Sequence, residues 1–199
     1  MGGPGAGEGA ARRLLQEAGA LLEGHFQLSS GRHSPLYVEK FRLLERPPQT
    51  AALCRMIADW AGDLSPQLVA GPTTGGIIIS YEVARLLGVR GIFAEILPGK
   101  DGRAFGRGFT IARGERTLVV DDVLTTGGSV RDVIEAVRAA GGEPVGVAVL
   151  VDRSAGKVDF GLPAGKAGLP FFACLALDLP AYEPGACPLC ERGVALTVT

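Results

Sequence analysis

Residues 116 to 130, RTLVVDDVLTTGGSV, combine the groups needed to hold a ligand that carries both phosphate and free hydroxyls. An apolar run ends in the paired acids Asp121 and Asp122, then turns through Thr125, Thr126, Gly127, Gly128 and Ser129 into a segment of helical periodicity. If the run is a parallel strand, the amides of the turn and of the helix N-terminus converge beyond its carboxyl end and stabilise an anion there. Thr125, Thr126 and Ser129 add hydroxyls, while Gly127 and Gly128 let the backbone come close to the anion. Two carboxylates beside that point repel a bare anion, so they call for ligand hydroxyls, a cation, or both. A sugar phosphate answers this need. A second segment, VAGPTTGG at 69 to 76, repeats the strand-to-helix turn with Thr73, Thr74 and Gly75. Two such cradles suit a ligand with two separated phosphate groups.

Both turns need strands and helices to aim them. With 199 residues, 47% of them hydrophobic, the chain is long enough for one domain with a substantial core. Short apolar runs at Leu68 to Gly71, Gly91 to Ala94, Thr117 to Val120 and Val145 to Val151 alternate with helical patterns over about 76 to 87 and after Gly128. That alternation predicts an α/β fold with a central parallel sheet flanked by helices. Leu14, Leu15, Ala18, Leu21 and Leu22 predict an amphipathic first helix ending near Gly24, and Pro47 and Pro48 open a second one through Leu53, Met56, Ile57 and Trp60. Residues 25 to 40 between them read as a hairpin or hood. The expected organisation is a disordered tail over 1 to 10 and then a single domain, with hood to about 45, core to about 180 and a C-terminal tail over 181 to 199. The Gly-rich stretch from Pro98 to Gly108 lacks periodicity and reads as a mobile loop over a site.

Charge excludes some functions. Twenty Lys and Arg balance 21 Asp and Glu, so no electrostatic footprint for nucleic acid or an anionic membrane is present. The N-terminal MGGPGAGEGA lacks the basic and apolar regions of a signal peptide, and no apolar run approaches the roughly 20 residues of a membrane span, so a cytoplasmic location is expected. The acidic strand end also fits a P-loop nucleotide hydrolase, but the chain contains no GxxxxGK[ST] loop.

The acidic segment resembles the phosphoribosyl pyrophosphate (PRPP) motif of type I phosphoribosyltransferases. GHFQLSSGRHSPLYVEK at 24 to 40 resembles the N-terminal hood of the orotate phosphoribosyltransferases, and VDR at 151 to 153 extends the resemblance over nearly the whole chain. The resemblance implies a type I phosphoribosyltransferase fold with a small hood, and transfer of phosphoribosyl from PRPP to orotate with Mg²⁺. It implies that Asp121 and Asp122 hold the ribose 2- and 3-hydroxyls, residues 125 to 129 the 5-phosphate, and Thr73, Thr74 and Gly75 the pyrophosphate. Arg153 and Tyr37, with Thr125, are implied at the orotate. Lys100, helped by Arg103 and Arg107, is implied to reach across a homodimer to the neighbouring pyrophosphate. Alternatives are a same-fold enzyme for another base and a non-catalytic PRPP sensor.

This chain departs from the family pattern at Ser29 and Ile96, where many relatives carry Lys or Arg. His25 and His33, its only histidines, have no triad or metal set visible around them in the sequence. Cys187 and Cys190 in CPLC have the spacing of half a zinc knuckle, but Cys54 and Cys174 form no matching pair. A structural tail, with no metal site assigned to protein side chains, is the expectation; the alternative is a bridging metal.

Overall fold

The structure, a computed structural model, describes residues 4–28, 30–99, 101–161 and 168–198. Helix α1 (Pro4–Glu17) leads into an antiparallel hairpin of β1 (Leu21–Gln27) and β2 (His33–Val38). Two helices follow, the short α2 (Lys40–Leu44) and α3 (Pro47–Ala61). The core then alternates β3 (Leu68–Pro72), α4 (Gly75–Leu87), β4 (Arg90–Ala94), β5 (Arg116–Leu124), α5 (Gly128–Ala139), β6 (Glu143–Asp152) and β7 (Phe171–Ala176). The tail carries α6 (Pro188–Glu191) and β8 (Thr197–Val198), which pairs parallel to β1.

The predicted parallel sheet is present, with order β4-β3-β5-β6-β7 and every pairing parallel. Alternation along the strands divides the core between its faces. Val69, Leu118, Val120, Ala148 and Leu150 pack with Leu15, Leu53, Ile57, Ile79 and Val83 from α1, α3 and α4. Leu68, Ala70, Val119, Val147 and Val149 pack with Val130, Val133, Ile134 and Val137 of α5. Both faces are covered, as an all-parallel sheet requires. Gly88 closes α4 in the left-handed region at φ 70°, a conformation that glycine adopts without a Cβ penalty.

The first helix differs from its prediction at both ends. It begins at Pro4, inside the stretch expected as a disordered tail, and Gly7 lies beside Met56 of α3. It stops at Glu17 because Gly19 turns at φ 65°, and Leu21 and Leu22 belong to β1 instead. An apolar pair with polar neighbours satisfies both periodicities over so short a stretch. Among the described residues, no helix is long and apolar enough to cross a membrane.

Candidate active site

Strand order sets the place of the site. From β3 the chain goes to the edge with β4, then returns to the other side of β3 with β5. The β3 and β5 carboxyl ends therefore flank a topological switch point, where α/β sheets open a crevice. The turns that follow these strands are the two predicted cradles.

Three adjoining cavities occupy this crevice. The smallest, about 50 Å³, is lined by Asp121 and by residues 123 to 130, so Thr125, Thr126, Gly127, Gly128 and Ser129 surround it together. Gly127 sits at φ 79°, and a Cβ there would fall 2.7 Å from Val158 Cγ1. Only glycine meets both conditions. The second, about 330 Å³, brings Thr73, Thr74 and Gly75 together with Arg103, Asp121, Asp122, Thr125, Ser129 and Lys40. The third, about 730 Å³, lies under the hood and is lined by Tyr37, Thr125, Thr126, Arg153, Lys40 and residues of the 178 to 181 segment.

The acidic pair is buried at the junction of these spaces. Asp121 Oδ1 accepts from the Asp122 amide at 2.8 Å, and Asp122 Oδ1 accepts from the Val123 amide at 2.6 Å. Lys40 Nζ lies 2.9 Å from Asp122 Oδ2 and 3.2 Å from Oδ1, which anchors the start of α2 to the core. Sequence reasoning placed Lys40 in the hood segment without a role; its signal was its position at the end of that segment. Gly75 is tightly fitted, since a Cβ there would lie 1.7 Å from Asp122 Oδ2.

Burial, and then the neighbouring Asp122 charge, push the Asp121 carboxyl up to about 7. Between the ordinary 3.8 and that value the folded chain keeps a proton that the unfolded chain releases. Stability therefore falls as pH rises through this window and stays lower above it. Asp121→Asn removes the cost, and is expected to stabilise the ligand-free chain at pH 8 by on the order of 2 kcal/mol, a rise of roughly 4–8 °C in Tm, with little gain at pH 4. Thermal melts of both proteins across that range check it, and parallel pH dependences count against it.

Arg153 follows β6 and reaches the large cavity. Its Nε is buried without a hydrogen-bond partner among the described residues, and burial pulls the guanidinium down from its ordinary value. The neighbouring Asp152 accepts from the Ser154 amide at 2.7 Å. A buried donor at a cavity wall suits an anionic or carbonyl-bearing ligand. Tyr37 stacks at a tilt on Phe26, with ring centroids 5.6 Å apart.

The loop after β4 folds back on it. Glu95 and Ala104 exchange backbone hydrogen bonds at 3.0 and 2.9 Å, which delivers Arg103 to Thr73, with Nη1 donating to Oγ1 at 2.7 Å. Arg107 is paired with Glu95 at 2.9 Å and lines none of the three cavities. Ile96 is exposed. Lys100 and Ser29 lie outside the described residues.

Residues 43–160 match the phosphoribosyl transferase domain family. An orotate phosphoribosyltransferase of Pelotomaculum thermopropionicum is 50% identical over 182 residues, 91% of this chain and 90% of that protein. The chain belongs to the orotate phosphoribosyltransferase family. The family is one of pentosyltransferases, the enzyme class that the sequence motifs imply. The fold agrees with solved members. The crystal structure of orotate phosphoribosyltransferase from Aeropyrum pernix is 29% identical and covers 83% of this chain and 93% of its own, with a TM-score of 0.63. That of the Mycobacterium tuberculosis H37Rv enzyme in complex with inorganic phosphate is 26% identical and covers 86% and 96%, with a TM-score of 0.66. Family membership and the type I fold thus agree with the resemblance read from the sequence.

One sequence expectation is corrected. His25 and His33 do have a set of metal-ligating side chains around them, because the fold brings Cys187 and Cys190 to them. These four residues are separate from the three cavities.

Proposed function

We propose that the chain transfers the phosphoribosyl group of PRPP to orotate, giving orotidine 5-phosphate and pyrophosphate, and so serves pyrimidine nucleotide (UMP) synthesis in the cytoplasm. The observation that carries this reading is the buried Asp121 and Asp122 pair at the junction of two hydroxyl-rich cradles, with a cavity under the hood beside them that has room for a base. In this reading residues 125 to 129 hold the 5-phosphate, the two carboxylates accept from the ribose 2- and 3-hydroxyls, and Thr73, Thr74, Gly75 and Arg103 receive the pyrophosphate. Orotate lies under the hood with its carboxylate toward Arg153 and its ring along Tyr37.

Catalysis here is positioning and electrostatics. The carboxylates fix the ribose and face the positive charge that grows at its anomeric carbon, while Arg103 meets the charge gathering on the departing pyrophosphate. The donor set fits Mg²⁺: Asp121 and Asp122 are hard oxygen donors in the cavity that also holds the pyrophosphate cradle. When bound, Mg²⁺ supplies a hard positive charge to the diphosphate, with most of its ligands drawn from PRPP and water. Lys100 completes the charge from the neighbouring subunit of a homodimer. Support for self-association comes from an apolar groove of about 450 Å³ lined by Leu44, Pro47, Pro48, Ile78 and Tyr81, which shares no residue with the three cavities. Ile78 and Tyr81 on that groove are 41% and 69% exposed, so its rim faces water.

The decisive assay follows loss of orotate absorbance with PRPP and Mg²⁺, beside uracil and adenine controls. Loss that requires all three components is the expected result. Consumption of adenine or uracil instead, or no consumption while PRPP still raises Tm, overturns the orotate assignment.

A further inference from the structure

His25 on β1, His33 on β2, and Cys187 and Cys190 around α6 bring four ligand atoms together, all within 4.8 Å of one another. The separate distances are informative. His25 Nε2 and His33 Nδ1 are 3.0 Å apart. Cys187 Sγ lies 3.5 Å from His25 Nε2, and Cys190 Sγ lies 3.8 Å from His25 Nε2 and 3.3 Å from His33 Nδ1. With metal bonds of about 2.0 Å to nitrogen and 2.3 Å to sulfur, the edges of a zinc tetrahedron are about 3.3 Å between nitrogens and about 3.5 Å between nitrogen and sulfur. These four separations lie within about 0.3 Å of those edges, and no pair in the set is wider than 4.8 Å.

The surroundings point the same way. His25 Nδ1 lies 2.8 Å from the Val194 carbonyl, so Nδ1–H donates there and Nε2 is left with its lone pair toward the other three groups. An imidazole oriented in this way by a carbonyl is the usual arrangement behind a metal-bound histidine. His25, His33 and Cys187 are buried, at 3%, 5% and 1% exposure, while Cys190 closes the solvent side. Two thiolates balance a divalent ion, so the occupied site is neutral and its burial carries little cost. Two sulfurs and two imidazoles select a soft, tetrahedral ion over Mg²⁺.

We infer that His25, His33, Cys187 and Cys190 form a structural zinc site that fastens the C-terminal tail to the hood. All four positions are filled by protein, so no coordination site is open to substrate. Binding to the reduced chain releases the two thiol protons to the buffer. The clamp acts where the tail already touches the hood: His33 and Tyr182 exchange backbone hydrogen bonds at 2.8 Å, and Arg32 bonds the Ala181 carbonyl and pairs with Glu183 at 3.1 Å. Ala181 and Leu179 are in turn walls of the large cavity. The site thereby fixes one side of the base pocket from outside it.

The test uses the full chain purified without a polyhistidine tag. Metal analysis is expected to find about one zinc per chain. After removal of zinc under reducing conditions, Co²⁺ is expected to give thiolate charge-transfer and tetrahedral ligand-field absorption that Zn²⁺ abolishes. Cys190→Ser, at the exposed ligand where folding is least at risk, is expected to weaken Co²⁺ binding more than about 100-fold. Cys187→Ser is expected to do the same, and the wild-type spectrum stands whether or not that variant folds. The proposal is overturned if the reduced wild-type chain melts cooperatively yet yields no such spectrum, or if the spectrum persists unchanged in Cys190→Ser. Isolation of the chain with a Cys187–Cys190 disulfide and no zinc overturns it equally.

Discussion

Asp122→Asn is expected to lower kcat/KM for PRPP by about 100- to 1000-fold, equivalent to roughly 3–4 kcal/mol of transition-state stabilisation. The carboxylate is buried, and it holds Lys40 at 2.9 Å while facing the space between the two cradles. The amide keeps the shape, but it loses the charge that would face the ribose and leaves Lys40 uncompensated beside it. Its effect on stability is smaller, because the Lys40 side chain is 37% exposed and water screens its charge. Steady-state kinetics with PRPP varied at saturating orotate check the prediction. A variant within about threefold of wild type takes Asp122 out of the mechanism.

Gly75→Ala carries the second large effect. The added methyl would lie 1.7 Å from Asp122 Oδ2, 2.8 Å from its Cγ and 3.2 Å from Leu44 Cδ1. The Asp122 side chain is short, so it cannot swing aside without breaking its bond to the Val123 amide or its contact with Lys40. We expect a loss of about 100-fold in kcat/KM for PRPP with a stability cost of about 1–3 kcal/mol. Gly62→Ala serves as control, since nothing lies within 4 Å of its Cβ position and its backbone is right-handed helical. Kinetics and thermal melts of both variants check this. Wild-type kcat/KM in Gly75→Ala would mean that the Asp122 position is not critical.

The two cradles were legible in the sequence because each lies within one short segment. Asp121 to Ser129 and Thr73 to Gly75 needed only the assumption of parallel strands, and the sheet order then set them side by side. The core strands were legible for the same reason, each an apolar run bounded by turn residues. The His25, His33, Cys187 and Cys190 group was not legible. Each pair has an ordinary explanation alone, and 162 residues separate Cys187 from His25. Lys40 was missed because its partner, Asp122, lies 82 residues away on another element. Leu21 and Leu22 were misplaced because two adjacent apolar residues fit a helix and a strand equally well; Gly19 decided between them. Local chemistry can thus be read from spacing, whereas pairings made by the tertiary fold cannot.

The tail's attachment to the hood bears on the order in which the molecule assembles. The core ladder from β3 to β6 joins segments closer in the chain, within the units β3–α4–β4 and β5–α5–β6 and across the loop between them, and so closes shorter loops as it grows. The hood contacts of the tail span far more chain: 149 residues separate Arg32 from Ala181, and 169 separate His25 from Val194. Joining such distant segments loses more loop-closure entropy, and a formed core shortens the effective distance between them. During folding the ladder should therefore form first and the tail should dock last, so the pocket beneath the hood becomes complete only at the final step.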